Sequence, residues 1–225
     1  MKKLILSTGL LILTQTAFLQ KTETRPLHDV TKLVVMGKTF TAFIIPSTEN
    51  KIEFSSKDID LSKIVTTETN GELKVQVKGF NTGNVTANIY LAKIPASIVS
   101  DNGALIKSTD KIKADQIELT TNSDGTIHLI LESKNITCHL NSGGDMTLEG
   151  STQNLVANGN VNGVLRAEMM TIENATAKAY MGCELHMRVK DNVTCVTGTG
   201  GKVHIYKPHA TNIVVEGEAD GVIRE

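Results

Sequence analysis

Two histidines, His186 and His204, stand one sequence repeat apart and have the clearest capacity for chemistry in this chain. On adjacent strands their rings would lie about 4.8 Å apart. Neutral imidazoles at that spacing can bind a metal ion or act as a pH-sensitive pair. We expect no carboxylate or cysteine on the same face to complete a ligand set. We therefore predict no metal site and interpret both histidines as solvated surface residues that are weak candidates for binding.

Two glutamates and an arginine form a second group with chemical potential. Glu149, Glu168 and Arg188 share one phase of the repeat, and stacked carboxylates beside an arginine could serve a carbohydrate-active enzyme on a β-helix. Such an enzyme also needs acidic residues for Ca²⁺ and aromatic rings for sugar stacking, yet aromatics make up 4% of the chain. We predict no catalytic residues here and interpret the three as a surface charge ladder, again weak candidates for binding.

The three cysteines do not form a disulfide framework. Cys138 and Cys195 share a phase of the repeat but lie three coils apart, more than about 10 Å at the strand spacing and too far to bridge. Cys183 falls at a corner, and all three are interpreted as small packed side chains. The chain has no glycine-rich phosphate loop, Ser-His-Asp spacing or Cys-x-x-Cys motif, so we expect no cofactor.

The charge of the chain excludes two classes of partner. Its formal net charge is −1 and its charged residues are dispersed along the sequence. Proteins that bind nucleic acid or anionic lipid concentrate Lys and Arg on one surface. We therefore expect no nucleic-acid partner.

A repeat of about 18 to 20 residues positions these side chains. Each unit contains two short runs of alternating apolar and polar residues, one after a recurring Asn and one after a recurring Gly; Ile136–Cys138 and Met146–Leu148 are examples. Alternation of this kind is typical of half-buried strands, and glycine allows a tight corner. The sequence therefore predicts an all-β fold, a single-stranded parallel β-helix or solenoid with coils of about 19 residues.

Stacking the units in register aligns equivalent residues into columns. The first inner column comprises Leu119, Cys138, Ala157, Ala177, Cys195 and Val215. The second inner column comprises Ile127, Met146, Leu165, Leu185, Val203 and Ile223. The outward column with both histidines reads His128, Thr147, Arg166, His186, His204 and Arg224. The second outward column reads Glu149, Glu168, Arg188 and Tyr206.

Asparagine recurs at one corner of the repeat. The corner column comprises Asn135, Asn154, Asn174, Asn192 and Asn212, with Asp115 before them. Asparagine tolerates the left-handed conformation, and its amide can donate and accept along a stack. Glycosylation is the alternative, because Asn135, Asn174 and Asn192 begin Asn-x-Thr sequences. A structural ladder also explains Asn154 and Asn212, so we favour it.

The N-terminal part differs in two respects. Residues 1–20 read as a secretory signal, with Lys2 and Lys3 before a short apolar run that cannot form a stable membrane span. Residues 28–97 read as a β-rich N-terminal cap with the first coils, because terminal repeats of a solenoid are atypical. The regular repeats occupy residues 98–225, and residues 28–225 form one domain.

Several motifs carry a family resemblance that runs from about Thr31 to the C-terminus. They are a strand pair around Gly37, an extended stretch from Gly71 to Gly79, the Ile-Tyr-Leu-Ala-Lys-Ile-Pro strand at residues 89–95, and the Asn-Ser-Gly-Gly-Asp corner at residues 141–145. In these the chain resembles the putative auto-transporter adhesin, head GIN domain family of exported bacterial proteins. It departs at Gly37-Lys38-Thr39, where the family has a Gly-Ile-Asn-like element.

We expect an exported, non-enzymatic adhesin-like or cell-envelope protein whose flat β-faces bind a protein or glycan partner. Its location is the periplasm, the outer-membrane surface or the medium. One alternative is a carbohydrate-active β-helix enzyme that uses Glu149, Glu168 and Arg188. The other is a periplasmic structural module that forms homo-oligomers through uncovered sheet edges.

Overall fold

Parallel strands stacked into coils dominate the structure. The computed structural model describes residues 21–79, 83–206 and 210–225, and the signal segment predicted at residues 1–20 lies outside them. The strands are β1 (Lys21–Pro26), β2 (Lys32–Met36), β3 (Phe40–Pro46), β4 (Lys51–Ser56), β5 (Ile64–Thr69), β6 (Glu72–Val77), β7 (Val85–Leu91), β8 (Ser97–Asp101), β9 (Leu105–Ser108), β10 (Ile112–Thr121), β11 (Thr126–Leu140), β12 (Asp145–Gly159), β13 (Val164–Tyr180), β14 (Glu184–Gly198), β15 (Lys202–Ile205), β16 (Asn212–Gly217) and β17 (Val222–Arg224). Two 3₁₀ helices span Leu61–Lys63 and Ala219–Gly221, and the described residues contain no α-helix.

Strands β10 to β14 pair in parallel, each with its equivalent one coil later. The first inner column is confirmed at every coil: Leu119 pairs with Cys138, and the register continues through Ala157 and Ala177 to Cys195 and then Val215. All but the last of these side chains are fully buried. The predicted parallel β-solenoid is therefore confirmed, with about six coils.

The second inner column is confirmed as far as Val203, but its last member was wrong. Val203 pairs with Val222, which leaves Ile223 beside His204 and Arg224 beside Ile205. Cys195 and Val203 are eight residues apart, but their partners Val215 and Val222 are seven apart, so the connection that contains the 3₁₀ helix Ala219–Gly221 is one residue shorter than its equivalent in the preceding coil. Because side chains alternate along a strand, this slip exchanges the inward and outward faces. Arg224 therefore does not belong to the histidine column.

The coils of β10 to β13 have a third strand segment that the two-run pattern does not predict. Residues 112–114 pair with 131–133, and the contact continues through residues 150–152 to 170–172. Ser133 and Thr152 point inward there, and their hydroxyls donate to the backbone carbonyls of Asn135 and Asn154 at 3.0 and 3.1 Å. Because polar residues occupy part of its inward face, this segment does not show the apolar alternation that predicts a strand.

The N-terminal strands do not stack in chain order. The coil formed by β2 and β3 lies between two others, because β2 pairs with both β6 and β8, and β3 pairs with both β7 and β9. Antiparallel strands flank this end: β4 pairs with β7, β1 pairs with β4, and β5 pairs with β6. The rings of Phe40 and Phe54 meet edge to face, 6.4 Å apart, beneath them. The predicted domain boundaries stay a prediction.

The asparagines align as expected, with one correction. Asn135, Asn154, Asn174, Asn192 and Asn212 are successive ladder partners. The side-chain amide of Asn154 donates to Asn135 at 3.0 Å, and that of Asn192 donates to Asn174 at 2.8 Å. Gln116, not Asp115, precedes them in register. Asp115 instead forms an ion pair with Lys134 at 2.8 Å. A further ladder that the sequence analysis missed joins Asn122, Asn141 and Asn160.

A substitution at Gly150 tests how closely the coils are stacked. It has a φ of +108°, and an added Cβ would lie 2.1 Å from the carbonyl oxygen of Leu131 on the previous coil. We expect Gly150→Ala to lower the free energy of unfolding by about 2–4 kcal/mol, from backbone strain and overpacking together. Gly200→Ala is the matched control, because Gly200 has a φ of +74° but open space around its Cβ position; it should lose only about 1–2 kcal/mol. Urea denaturation measures both, and equal losses would contradict the close contact.

Candidate functional site

His186 and His204 come together on the outward face of the C-terminal coils. β14 and β15 pair in parallel with His186 directly opposite His204. The rings stack 4.3 Å apart at an interplanar angle of 13°. Their side chains are only 19% and 13% exposed, respectively. The interpretation as solvated surface residues was therefore wrong, because each ring covers the other and neighbouring side chains cover the pair.

Carboxylates complete this face, contrary to the expectation from the sequence. Glu184 precedes His186 by two residues in β14, and its Oε2 lies 3.6 Å from Nε2 of His186. Glu225 contacts the other ring, with Oε1 at 2.7 Å from Nδ1 of His204. The Glu-Leu-His sequence at residues 184–186 could have revealed Glu184, because residues two apart on a strand share a face. Glu225 faces outward because of the one-residue slip in β17.

Tyr206 and Glu168 border the histidine pair. The Tyr206 hydroxyl lies 3.1 Å from Nδ1 of His186. Burial, together with the charges of Glu225 and Glu168, raises the pKa of Tyr206. Oε2 of Glu168 is buried and meets no hydrogen-bond donor among the described residues. We name Glu168, Glu184, His186, His204, Tyr206 and Glu225 the histidine cluster.

The environment of His186 favours its neutral form. Partial burial lowers the pKa of this imidazole, and the neighbouring His204 lowers it further. Glu168 and Glu184 oppose that shift because their negative charges favour a protonated ring. Burial and the second histidine outweigh the two carboxylates, so the pKa of His186 is lowered and its neutral form is favoured.

The predicted stack of Glu149, Glu168 and Arg188 is not continuous. The register shifts between Thr147 and Gly150 and again between Ala167 and Ile172, where β13 carries extra residues. Glu149 pairs instead with Ile130 on the preceding coil and is exposed, as is Arg188. Among the described residues no ion pair joins the three. Only Glu168 belongs to the histidine cluster.

The cysteines are packed side chains. All three are buried and unpaired with one another. Burial raises the pKa of the Cys138 thiol to about 12 and that of Cys195 to about 11. Both thiols are therefore protonated and poorly reactive at neutral pH.

A polar groove crosses another part of the solenoid. It has a volume of about 580 Å³ and runs over four successive strands, β10 to β13. Its lining comprises Lys113, Ala114, Asp115, Glu132, Ser133, Lys134, Ser151, Thr152, Gln153, Thr171 and Glu173. We name it the corner groove because it follows the bend beside the asparagine ladder. The weak candidates from the sequence do not line it.

The pKa of His186 can be measured directly. We expect an NMR titration of its ring protons, in buffer with a metal chelator, to give a midpoint below about 6.5. His204→Ala should raise this midpoint and Glu184→Gln should lower it, because they remove a lowering and a raising charge respectively. Since the folded-state pKa is below the unfolded one, this group destabilises the fold only as pH falls below about 6.5. A midpoint at or above that value contradicts the assignment.

Several solved structures have a similar fold. A putative adhesin from Bacteroides fragilis matches with a TM-score of 0.79 at 12% identity, over 92% of this chain and 97% of that one. A putative adhesin from Parabacteroides merdae matches with a TM-score of 0.64 at 13% identity, over 92% and 96%. A putative lipid binding protein from Parabacteroides distasonis matches with a TM-score of 0.63 at 13% identity, over the same shares. At these identities the matches show a shared fold.

The sequence itself places the chain in a family. A search of curated proteins finds no match. Within the described residues no helix is long and apolar enough to cross a membrane. Residues 31–208, most of the chain, match the family described as "Putative auto-transporter adhesin, head GIN domain". The resemblance inferred from the sequence motifs is thereby confirmed, and the chain belongs to the head GIN domain family of putative auto-transporter adhesins.

Proposed function

We propose that this chain is an exported, non-enzymatic, adhesin-like protein that binds a glycan or protein surface through its solenoid. Membership of an adhesin family supports an adhesive role and an envelope or extracellular location. The observation that carries the proposal is the corner groove, which offers an extended polar surface built from four strands. Its four strands give it the length to receive an extended ligand.

Both charges and hydroxyls line the corner groove. Lys111 and Lys113 contact Glu132 at 3.4 and 3.6 Å, and Lys134 contacts Asp115 at 2.8 Å. Exposed ion pairs contribute little to stability, so these side chains can exchange partners at low cost. A ligand with its own hydroxyl, amide or carboxylate groups can therefore replace them.

The spacing of the groove suits a repeating ligand. Successive coils are about 4.8 Å apart, so four strands extend about 15 Å along the axis. A short run of sugar rings or an extended peptide has a similar length. Such a ligand meets an equivalent set of side chains at each coil, which adds weak contacts along one line.

The absence of catalysis is part of the proposal. The alternative enzyme would use Glu149 and Glu168 as its acid pair, and the pairing of β12 with β13 is interrupted at these positions. The corner groove has carboxylates from Asp115, Glu132 and Glu173, but two of these are ion-paired with lysines. General acid catalysis needs a carboxyl with a raised pKa, whereas the pKa values of Asp115 and Glu132 are lowered by Lys134 and Lys111 respectively.

Self-association is a second candidate, supported by the last coil. Within the described residues β16 pairs only with β14, and β17 pairs only with β15. Val214 on β16 is 43% exposed. An unpaired strand edge with an apolar side chain can pair with another chain.

Export can be tested on intact bacteria that produce the chain with a C-terminal tag. We expect added protease to digest the tagged protein on intact cells, because an adhesin must reach its partner. Digestion only after the outer membrane is permeabilised would place the protein in the periplasm and contradict an adhesive role at the surface. Recovery of the tagged protein in the cytoplasmic fraction alone would contradict export. A periplasmic protein and a cytoplasmic protein serve as controls.

Binding through the corner groove can be tested with purified protein on glycan arrays and immobilised matrix proteins. We expect Lys134→Ala to weaken binding about tenfold, because Lys134 lines the groove. Lys178→Ala is the matched control, since Lys178 is exposed on another strand segment, opposite Asn158 and Val196. Equal effects of the two variants would contradict the groove, and binding to no probe would contradict the adhesin-like role. Light scattering of the same samples tests self-association.

A further inference from the structure

We propose that Glu184, His186 and His204 form a binding site for a divalent transition-metal cation of the zinc type. Each residue offers one ligand atom, and the three atoms lie within 4.8 Å of one another. The site goes beyond the adhesin-like role and does not depend on it, because it lies on different strands from the corner groove.

The donor types select the metal. Two imidazole nitrogens and one carboxylate oxygen are a ligand set that Zn²⁺ accepts, with water in the fourth position. Ca²⁺ and Mg²⁺ prefer sets made of oxygen alone. The histidines therefore favour zinc or a neighbouring transition metal over the alkaline-earth ions.

The other nitrogen of each ring already has an oxygen neighbour. Nδ1 of His186 lies 3.1 Å from the Tyr206 hydroxyl, and Nδ1 of His204 lies 2.7 Å from Glu225. Histidines that bind metals usually donate their second N–H to such a group, which fixes the tautomer and the ring orientation. Because Nδ1 of each ring is engaged in this way, Nε2 of each ring is the ligand atom. Nε2 of His186 is also the nitrogen that faces Glu184.

The local charge also favours a cation. Glu184 and Glu168 act on His186, and Glu225 contacts His204. Oε2 of Glu168 is buried and has no hydrogen-bond donor among the described residues, and a buried carboxylate without a partner is costly. Two positive residues stand nearby in register: Arg166 beside His186, where it contacts Asp145 at 2.6 Å, and Lys202 beside Glu184. A bound divalent ion offsets the negative charge of the carboxylates that Arg166 and Lys202 do not neutralise.

Binding requires a small movement of the side chains. Zn–N bonds of about 2.0–2.1 Å in a tetrahedral site place the ligand atoms about 3.3 Å apart. The rings are now nearly parallel, with centroids 4.3 Å apart, and the ligand atoms lie within 4.8 Å of one another. A tilt of one ring and a turn of the Glu184 side chain, which is 43% exposed, bring the three atoms together.

Isothermal titration of the full-length chain with ZnCl₂ tests the site. The protein is prepared without a polyhistidine tag and treated with chelator. We expect one equivalent of Zn²⁺ to bind the wild type, with binding at least tenfold weaker in His204→Ala and in Glu184→Gln. Glu184→Gln keeps the shape of an exposed side chain, so it serves if His204→Ala fails to fold. Mg²⁺ and Ca²⁺ at equal concentration should give no heat.

His139→Ala is the matched control. Nε2 of His139 lies 3.5 Å from Glu118, so it forms a histidine–glutamate pair on the same solenoid. Its ladder partners are Thr120 and Asn158, so it has no second histidine in register. This variant should bind Zn²⁺ like the wild type. Replacement of Zn²⁺ by Co²⁺ should give the visible absorption of a tetrahedral site in the wild type and lose it in His204→Ala. No binding by the wild type, unchanged binding in His204→Ala, or an equal loss in His139→Ala overturns the proposal.

Discussion

Parallel, in-register stacking is the constraint on which the rest of this structure depends. Backbone hydrogen bonds hold successive coils about 4.8 Å apart, so a side chain in regular register lies beside its equivalent on the next coil. Apolar side chains satisfy this condition by packing, as Leu119, Cys138 and Ala157 do. Asparagines satisfy it because an amide can donate to one neighbour and accept from the other. The fold therefore selects residues that tolerate their own kind at close distance.

Charged residues cannot meet that condition as identical neighbours, and the structure alternates their signs instead. Asp115 faces Lys134 across one step between coils, and Asp145 is bound by Arg166 across another. Like charges directly opposite on a sheet are destabilising. The exposed columns consequently carry mixed charge, which also gives the corner groove its alternating polar lining.

Features that follow from a constant register between neighbouring coils can be predicted from the sequence. Features that depend on a change of register cannot. The inner columns and the pairing of His186 with His204 follow from the repeat alone. The bulges in β13 displace Glu168 from Glu149, and the 3₁₀ turn before β17 brings Glu225 outward in place of Arg224. The extra residues of β13, at positions 168–171, include no Gly, Pro, Asn or Asp that would mark a bulge in the sequence. The need for glycine at position 150 likewise comes from the Leu131 carbonyl on another coil, which an added Cβ would meet.

The order of the N-terminal coils could not be predicted for a related reason. A repeat implies that coil follows coil along the chain, yet β2 and β3 lie between strands that come later in the sequence. Only pairing over long sequence distances decides that order, and residues 28–97 contain too few equivalent positions to reveal it.

In the histidine pair, the stacking of identical side chains has a chemical consequence. Two protonated imidazoles 4.3 Å apart would repel each other, so the stack is stable only while at least one ring is neutral. A neutral ring is also the form that binds a metal. The carboxylates around the pair would favour protonation if they acted alone, but burial opposes it at His186. A divalent cation resolves the conflict, because it offsets the negative charge of the carboxylates and binds both rings in their neutral form.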